Sequence, residues 1–188
     1  NELAVRIDDC KPKVIITASS GIEVSRLIAY KPLVDEAIEL AIHKPDKVIL
    51  FNRKLGAKIP AKHYDIDYGT LIYESEEAEC IPVASTHPLY ILYTSGTTGK
   101  PKGIVRDTGG YVTALKFSMT SIYNMKPGEV FWAASDVGWV VGHSYITYGP
   151  LFNRNTTVVF EGKPVRTQND STLWRVIEEH KESELFVE

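Results

Sequence analysis

Cysteine is scarce in this chain: Cys10 and Cys80 are the two thiols in 188 residues. Two thiols form no disulfide framework and no metal-ligand cluster, so a disulfide-stapled scaffold and a zinc-ribbon fold are excluded. A reducing compartment is the default expectation. Long apolar runs are missing too, and no stretch approaches the ~20 residues that a membrane-spanning helix needs. Charge of one sign is also lacking. Lys and Arg total 21 against 24 Asp and Glu, a formal net charge of −3, which gives no general attraction to nucleic acid. His43, His63, His87 and His180 lack metal-ligand spacing. No Ser/His/Asp or Cys/His constellation has supporting motifs. The acidic cluster Glu74, Glu76, Glu77 and Glu79 reads as solvated surface.

What remains is an ordinary globular composition, 44% hydrophobic and 24% charged, long enough to bury a sizeable core. Short apolar runs at 13–17, 47–51, 89–94, 130–133 and 156–160 read as strands, the first of them buried. Extended structure resumes at 104–106. Residues 18–21 read as a turn and 74–88 as an exposed connection. Helical spacing of apolar residues appears at 32–43, where Leu33, Val34, Ala37, Ile38, Leu40 and Ala41 share a face. Pro32 suits the first turn, where its missing N–H is not needed. Further helices are expected at 108–123, within 140–151, and at 172–181, the last with Leu173, Val176 and Ile177 on one face. Strands alternating with helices predict an α/β fold of layered, mainly parallel sheets with flanking helices. No linker divides the chain. Residues 1–7 look like helix interior and 184–188 like a strand cut in mid-course, so a fragment is expected.

The chemistry is concentrated in Thr94-Ser95-Gly96-Thr97-Thr98-Gly99-Lys100-Pro101-Lys102-Gly103, directly after an apolar segment. Glycines let backbone come close to a ligand. Consecutive N–H groups form an anion-binding concavity. Hydroxyls donate further hydrogen bonds, and Lys100 and Lys102 offset phosphate charge. The pattern departs from the Walker A loop, which needs a hydroxyl after Gly-Lys; here Pro101 follows Lys100. A second block runs Ser135-Asp136-Val137-Gly138-Trp139-Val140-Val141-Gly142-His143-Ser144-Tyr145, with Trp139 placed 45 positions after Thr94. Two glycines, Gly138 and Gly142, permit close backbone approach, and the apolar side chains offer a small pocket wall with His143 as a polar edge.

These blocks resemble the adenylate-forming superfamily of acyl-CoA synthetases, luciferases and peptide-synthetase adenylation domains. The first resembles its phosphate loop. The second resembles the W-V-x-G-H-S-Y segment of short-chain acyl-CoA synthetases. Thr108-Gly109-Gly110-Tyr111, Tyr148-Gly149-Pro150-Leu151 and Phe160-Glu161-Gly162-Lys163-Pro164 match in order, and the likeness covers most of the chain. Val141, where acetate-activating enzymes typically carry Thr, and Arg106-Asp107-Thr108-Gly109-Gly110-Tyr111 are similar to the propionate-activating branch.

The resemblance implies a two-step ligase. Acid and ATP give acyl-AMP and pyrophosphate, and the thiol of CoA then takes the acyl group. It assigns residues 94–100 and Lys102 to the ATP phosphates and 139–143 to the acyl pocket. The residue matching Val141 also lies near the CoA path. It implies that the stretch Glu23, Val24, Ser25 and Arg26 contacts CoA, although Glu23 stands where the acetate enzymes carry an arginine. Mg²⁺ is expected with the nucleotide. The chain is expected to be a fragment, residues 1–188, of the N-terminal AMP-binding domain. The Y-G-x-T-E-type motif, the ribose-binding Asp and the C-terminal lid lysine are not in it, so no catalytic residue is assigned and the isolated span is expected to be inactive. Acetate activation and a non-catalytic nucleotide-binding module remain alternatives. Expected partners are the small carboxylic acid, ATP and CoA, with neither nucleic acid nor membrane. The expected location is the mitochondrial matrix, or else the cytoplasm as in many relatives.

Overall fold

The computed structural model describes residues 2–23, 26–56, 59–94, 102–161, 171–181 and 184–187. The chain forms two compact units, Asn1–Ile81 with Tyr93–Lys102, and Pro82–Leu92 with Gly103–Glu188. The chain leaves the first unit, returns to it and leaves again. Two of the three crossings fall inside strands, at Leu92–Tyr93 and Lys102–Gly103, and the first falls in the exposed connection at Ile81–Pro82.

The first unit is built on a parallel sheet. Strand β1 (Val14–Ala18) pairs with β4 (Lys47–Phe51), which pairs with β5 (Asp65–Asp67). Helices α1 (Glu2–Cys10) and α2 (Tyr30–Leu40) cover it. Their apolar faces, Ala4 and Ile7 on one and Val34, Ala37 and Ile38 on the other, close over Val48 as one cluster. Each fully buried aliphatic side chain of this kind contributes about 1.5–3 kcal/mol. Pro32 lies in the first turn of α2 as expected. The expectation of a buried β1 is corrected: Ile16 is 70% exposed, because the helices cover one face of the sheet and Ile16 points the other way.

Residues 18–21, read as a turn, contribute instead to a hairpin. Strand β2 (Ser20–Glu23) pairs antiparallel with β3 (Arg26–Ala29), with Glu23 opposite Arg26. Gly21 serves a close approach there: a Cβ would meet the Tyr30 hydroxyl at 2.4 Å. Helix α3 (Tyr68–Glu74) follows β5, with Asp67 accepting from the Thr70 backbone N–H at 2.8 Å. The interior of this unit also holds a charge. Lys31 is fully buried, paired with Asp35 and, at 3.0 Å, with Asp65, and its ammonium lies 5.2 Å from the centre of the Tyr64 ring.

The second unit has its own parallel sheet, ordered β10 (Glu184–Val187), β8 (Val130–Ala134) and β9 (Thr156–Thr157). Helix α4 (Thr108–Ser121) and α6 (Thr172–His180) flank it. Met119, Met125, Phe131, Ala133 and Ile146 form one core; Trp132, Ala134 and Val176 form another, with Leu173 and Ile177 packed against it. The β9 strand is two residues long, shorter than the apolar run 156–160 suggests, although Val158 and Phe160 still pack beside Trp132. Strands β6 (Pro88–Thr94) and β7 (Lys102–Asp107) pair as a separate two-stranded sheet. The segment expected to hold a helix within 140–151 is a π-helix, Gly142–Tyr148, continued by the short α5 (Gly149–Phe152).

Candidate functional site

The sheet of the second unit ends where chemistry is expected, since ligands of parallel α/β sheets bind at the carboxyl ends of strands. A cavity of about 180 Å³ opens there. Its walls are Trp132, Ala133 and Ala134 of β8, the following Ser135, Asp136 and Val137, Ile146 of the π-helix, and Val159 and Phe160 after β9. A void of this size holds a small molecule, against the ~30 Å³ share of one liquid water.

A locked turn leaves this cavity. The Asp136 carboxylate accepts from the Gly138 N–H at 2.7 Å, and its carbonyl accepts from the Trp139 N–H at 3.1 Å. The Trp139 carbonyl then accepts from the His143 N–H at 3.1 Å. Gly142 is pressed against this turn: a Cβ there would meet the Asp136 carbonyl oxygen at 2.2 Å and the Val137 Cα at 2.4 Å. The π-helix starts at that glycine. A π-helix, with i→i+5 hydrogen bonds, is rare and frequently occurs at functional sites. Here the Gly149 N–H reaches back to the Ser144 carbonyl.

Of the predicted acyl-pocket residues, Trp139 is 63% exposed, Val140, Val141 and His143 are half-buried, and Gly142 is buried. They stand on the segment that follows the cavity wall and do not line the cavity itself. Of the residues that do, Asp136, Val137 and Phe160 belong to blocks read from the sequence without being assigned to the pocket, and Ile146 and Val159 were not assigned a site role. Their signal was present in the Ser135-Asp136 that directly follows an apolar strand.

The His143 ring lies against an aromatic cluster through Tyr90. Its ring centre lies 5.6 Å from that of Tyr90 on β6, which also meets Tyr111 of α4 at 5.4 Å and stacks on Tyr148 at 6.2 Å. The Tyr111 hydroxyl lies 2.9 Å from the Ser144 hydroxyl, and the Tyr145 hydroxyl donates to that of Ser118 at 3.0 Å. Burial pushes the Tyr111 phenol well above its ordinary range, so it remains protonated at neutral pH. His143 Nδ1, Tyr90 Oη and Arg106 Nε are buried without a hydrogen-bond partner among the described residues. Leaving such groups unpaired is costly.

The phosphate-loop expectation falls largely outside the described residues: Ser95, Gly96, Thr97, Thr98, Gly99 and Lys100 are not among them. Its two flanks are. Thr94 closes β6 and is half-buried, and Lys102 opens β7 and is exposed. The strands that end and begin at these two residues, β6 and β7, pair with each other. In the CoA stretch, Val24 and Ser25 are outside the described residues. Glu23 and Arg26 face each other at the hairpin end, both exposed. Among the described residues no group of three or more His, Cys, Asp or Glu is placed to hold a metal. No described helix is long and apolar enough to cross a membrane.

A family model described as "AMP-binding enzyme" matches residues 1–186. The Bos taurus protein "Acyl-CoA synthetase short-chain family member 3, mitochondrial" is 56% identical over 186 residues, 98% of this chain and 27% of that protein. "Propionate--CoA ligase" of Escherichia coli is 44% identical over 189 residues, 99% of this chain and 30% of that protein. The chain thus spans less than a third of the length of these relatives. Among solved structures, the acetoacetyl-CoA synthetase from Streptomyces lividans superposes with a TM-score of 0.82 at 24% identity, over 98% of this chain and 28% of that one. That likeness establishes the α/β fold.

Proposed function

The chain belongs to the AMP-binding enzyme family, and on that premise we propose that the whole protein is a short-chain, AMP-forming acyl-CoA synthetase that prefers propionate to acetate. We assign this chain to its N-terminal AMP-binding domain. The observation that carries the reading is the phosphate-loop sequence 94–102, hung between paired strands, in a chain 56% identical to a named short-chain acyl-CoA synthetase.

The chemistry explains the need for such a loop. A carboxylate is a poor acyl donor because oxide would have to leave. Attack of a carboxylate oxygen on the α-phosphorus of ATP breaks the bond to the β-phosphate and releases pyrophosphate. The acyl carbon then carries AMP, a good leaving group. The CoA thiol adds to that carbon, AMP departs, and the thiol proton is lost. Charge accumulates on the departing pyrophosphate in the first step, so catalysis there rests on positioning and electrostatic stabilisation.

Thr94 and Lys102 sit at the two strand ends from which the loop would grip the β- and γ-phosphates. Lys102, exposed at the start of β7, supplies a positive charge without first having to be freed from a buried partner. Mg²⁺ would travel with the nucleotide phosphates and keep several waters, since the described residues offer no carboxylate or imidazole cage of their own. Residues 139–143 and the cavity beside them form the acyl pocket in this reading. Arg26, at the exposed hairpin end, supplies a guanidinium for a phosphate of CoA. The preference for propionate is supported by the 44% identity to a propionate–CoA ligase and by Val140 and Val141, two apolar side chains in succession. One methylene in such a pocket is worth about 1–3 kcal/mol. The mitochondrial name of the Bos taurus relative supports the mitochondrial matrix for a eukaryotic source.

The test is ATP–pyrophosphate exchange by the full-length protein with acetate, propionate and butyrate offered in turn. Propionate should support exchange with the highest kcat/KM. A propionate-to-acetate ratio below one would reverse the preference, and no exchange with any of the acids would remove the assignment. Lys102→Ala should lower exchange by at least tenfold, about 1.4 kcal/mol of transition-state stabilisation; unchanged exchange would remove Lys102 from the loop's role.

A further inference from the structure

The π-helix is the least expected element of the second unit, and two bonds from one neighbouring helix hold it. Tyr111 and Ser118 lie two turns apart on α4. Tyr111 pairs with Ser144 at 2.9 Å, and Ser118 accepts from Tyr145 at 3.0 Å. Two consecutive residues of the π-helix are therefore fixed from outside. All four side chains are buried or half-buried. Tyr111 and Ser144 are 7% and 6% exposed, and their bond is closed to water. The glycine that follows the π-helix allows the wide turn: a Cβ on Gly149 would meet the Ser144 carbonyl oxygen at 2.8 Å.

The geometry has a consequence upstream. A π-turn carries more residues than an α-turn. Relaxation of one π-turn to i→i+4 bonding would take up about one residue, and in an α-helix each residue turns by about 100°. The residues immediately before Gly142 are Val140 and Val141. A slip of that size would swing both side chains away from their present direction and move Ile146 off the cavity wall, where it now lies. Holding the π-helix and shaping the small-acid pocket are thus one mechanical problem.

We propose that Tyr111 and Ser118 of α4 are positioning residues for acid selection: by pinning Ser144 and Tyr145 they keep the π-helix wide and hold Val140, Val141 and Ile146 where the acid is measured. This rests on the reading of the protein as a short-chain acyl-CoA synthetase. Neither residue is asked to touch a substrate, and neither takes part in proton or acyl transfer. The tyrosine hydroxyls matter here for the bonds they make, while their rings remain as packing.

The experiment uses the full-length protein and exchange assays with propionate and acetate at varied ATP. Tyr111→Phe and Tyr145→Phe each keep the ring and remove one bond. Thr113→Ala is the control, since that hydroxyl bonds to the Gly109 carbonyl within α4 itself. Each Phe variant should raise the KM for propionate about 3- to 10-fold, the range expected for loss of one such bond. The propionate-to-acetate ratio of kcat/KM should move toward one, and the KM for ATP should stay as in the parent. Thr113→Ala should change none of these. An unchanged ratio and acid KM in both Phe variants would overturn the proposal. So would a fall in kcat for both acids in equal measure with both KM values intact, which is what a general loss of folded protein produces. Should Tyr111→Phe fail to fold, Tyr145→Phe decides by the same criteria. Failure of the unmodified protein to exchange with any of the acids is a separate result: it removes the functional reading and this inference with it.

Discussion

Gly142 has no room for a side chain, and this single absence shapes the candidate site. Backbone atoms of Asp136 and Val137 occupy the place a Cβ would take, so a methyl cannot be accommodated by rotating a neighbour. Gly142→Ala should destabilise the second unit by about 1–3 kcal/mol, the usual cost of overpacking, read as a lowered urea midpoint. Gly128→Ala is a contrasting case: nothing lies within 4 Å of its Cβ position, and its cost would come from its positive φ of 91° alone. Lys31 poses the opposite problem. It is buried beside Asp35 and Asp65 with its own side chain 0% exposed. Lys31→Met would leave two carboxylates without their shared cation. Removal of one partner from a buried ion pair costs about 3–5 kcal/mol, so the urea midpoint of the first unit should fall sharply. A loss under 1 kcal/mol would show that water reaches the pair.

At the scale of elements, local chemistry and long-range packing divide the work. Helix α4 was legible as 108–123 and runs Thr108–Ser121; the structure adds its cap, Asp107, which accepts from the Gly110 N–H at 2.8 Å. Asp107→Ala should cost about 1 kcal/mol, whereas Asp107→Asn, which keeps a side-chain acceptor, should cost much less; melting temperatures of the two variants test this. Helix α3 was missed although Asp67 and Thr70 form the same kind of cap. It is short, and no residue in it is buried, so no hydrophobic period announced it. The β2–β3 hairpin was missed for another reason. Ser19, Ser20 and Gly21 carry the composition of a turn, yet Ser19 and Ser20 are buried and hydrogen-bonded to the carbonyls of Arg53 and Leu55. Those partners lie more than thirty positions away. The π-helix was read as an ordinary helix because the same apolar residues satisfy both periods over one or two turns.

At the scale of the whole molecule, the two units share an alkaline weakness. Tyr64 and Tyr111 are raised above the ordinary phenol value first by burial, and Tyr93 first by its hydrogen bond to Asp9. A phenol whose pKa is higher folded than unfolded keeps its proton in the native state while the unfolded chain gives it up. The native state then binds more protons, and stability falls with rising pH. The contribution is complete below the ordinary value of 10.0 and is lost as pH climbs from there toward the raised values. Unfolding midpoints should therefore be flat with respect to these groups from pH 7 to 9 and should drop above pH 10. Tyr64→Phe and Tyr111→Phe should each flatten that drop. An alkaline limb unaltered by both would show that other groups govern it.

The sequence by itself determined the class of the molecule and its family. Alternation of apolar strands with amphipathic helices is a local pattern, and it implied the parallel α/β layers that the sheets β1-β4-β5 and β10-β8-β9 display. The order of residues in 94–103 and in 139–145 is likewise local, and it sufficed to point to the AMP-binding family that matches residues 1–186. Tertiary structure alone decided which residues share a cavity. Asp136, Val137, Ile146 and Val159 meet because a strand end, a turn, a π-helix and the segment after β9 converge in space. It alone placed Tyr111 against Ser144 and Lys31 against Asp65, pairs 33 and 34 positions apart. Local periodicity registers which way a side chain faces; it carries no information on which distant side chain it will meet, because that depends on how whole elements pack.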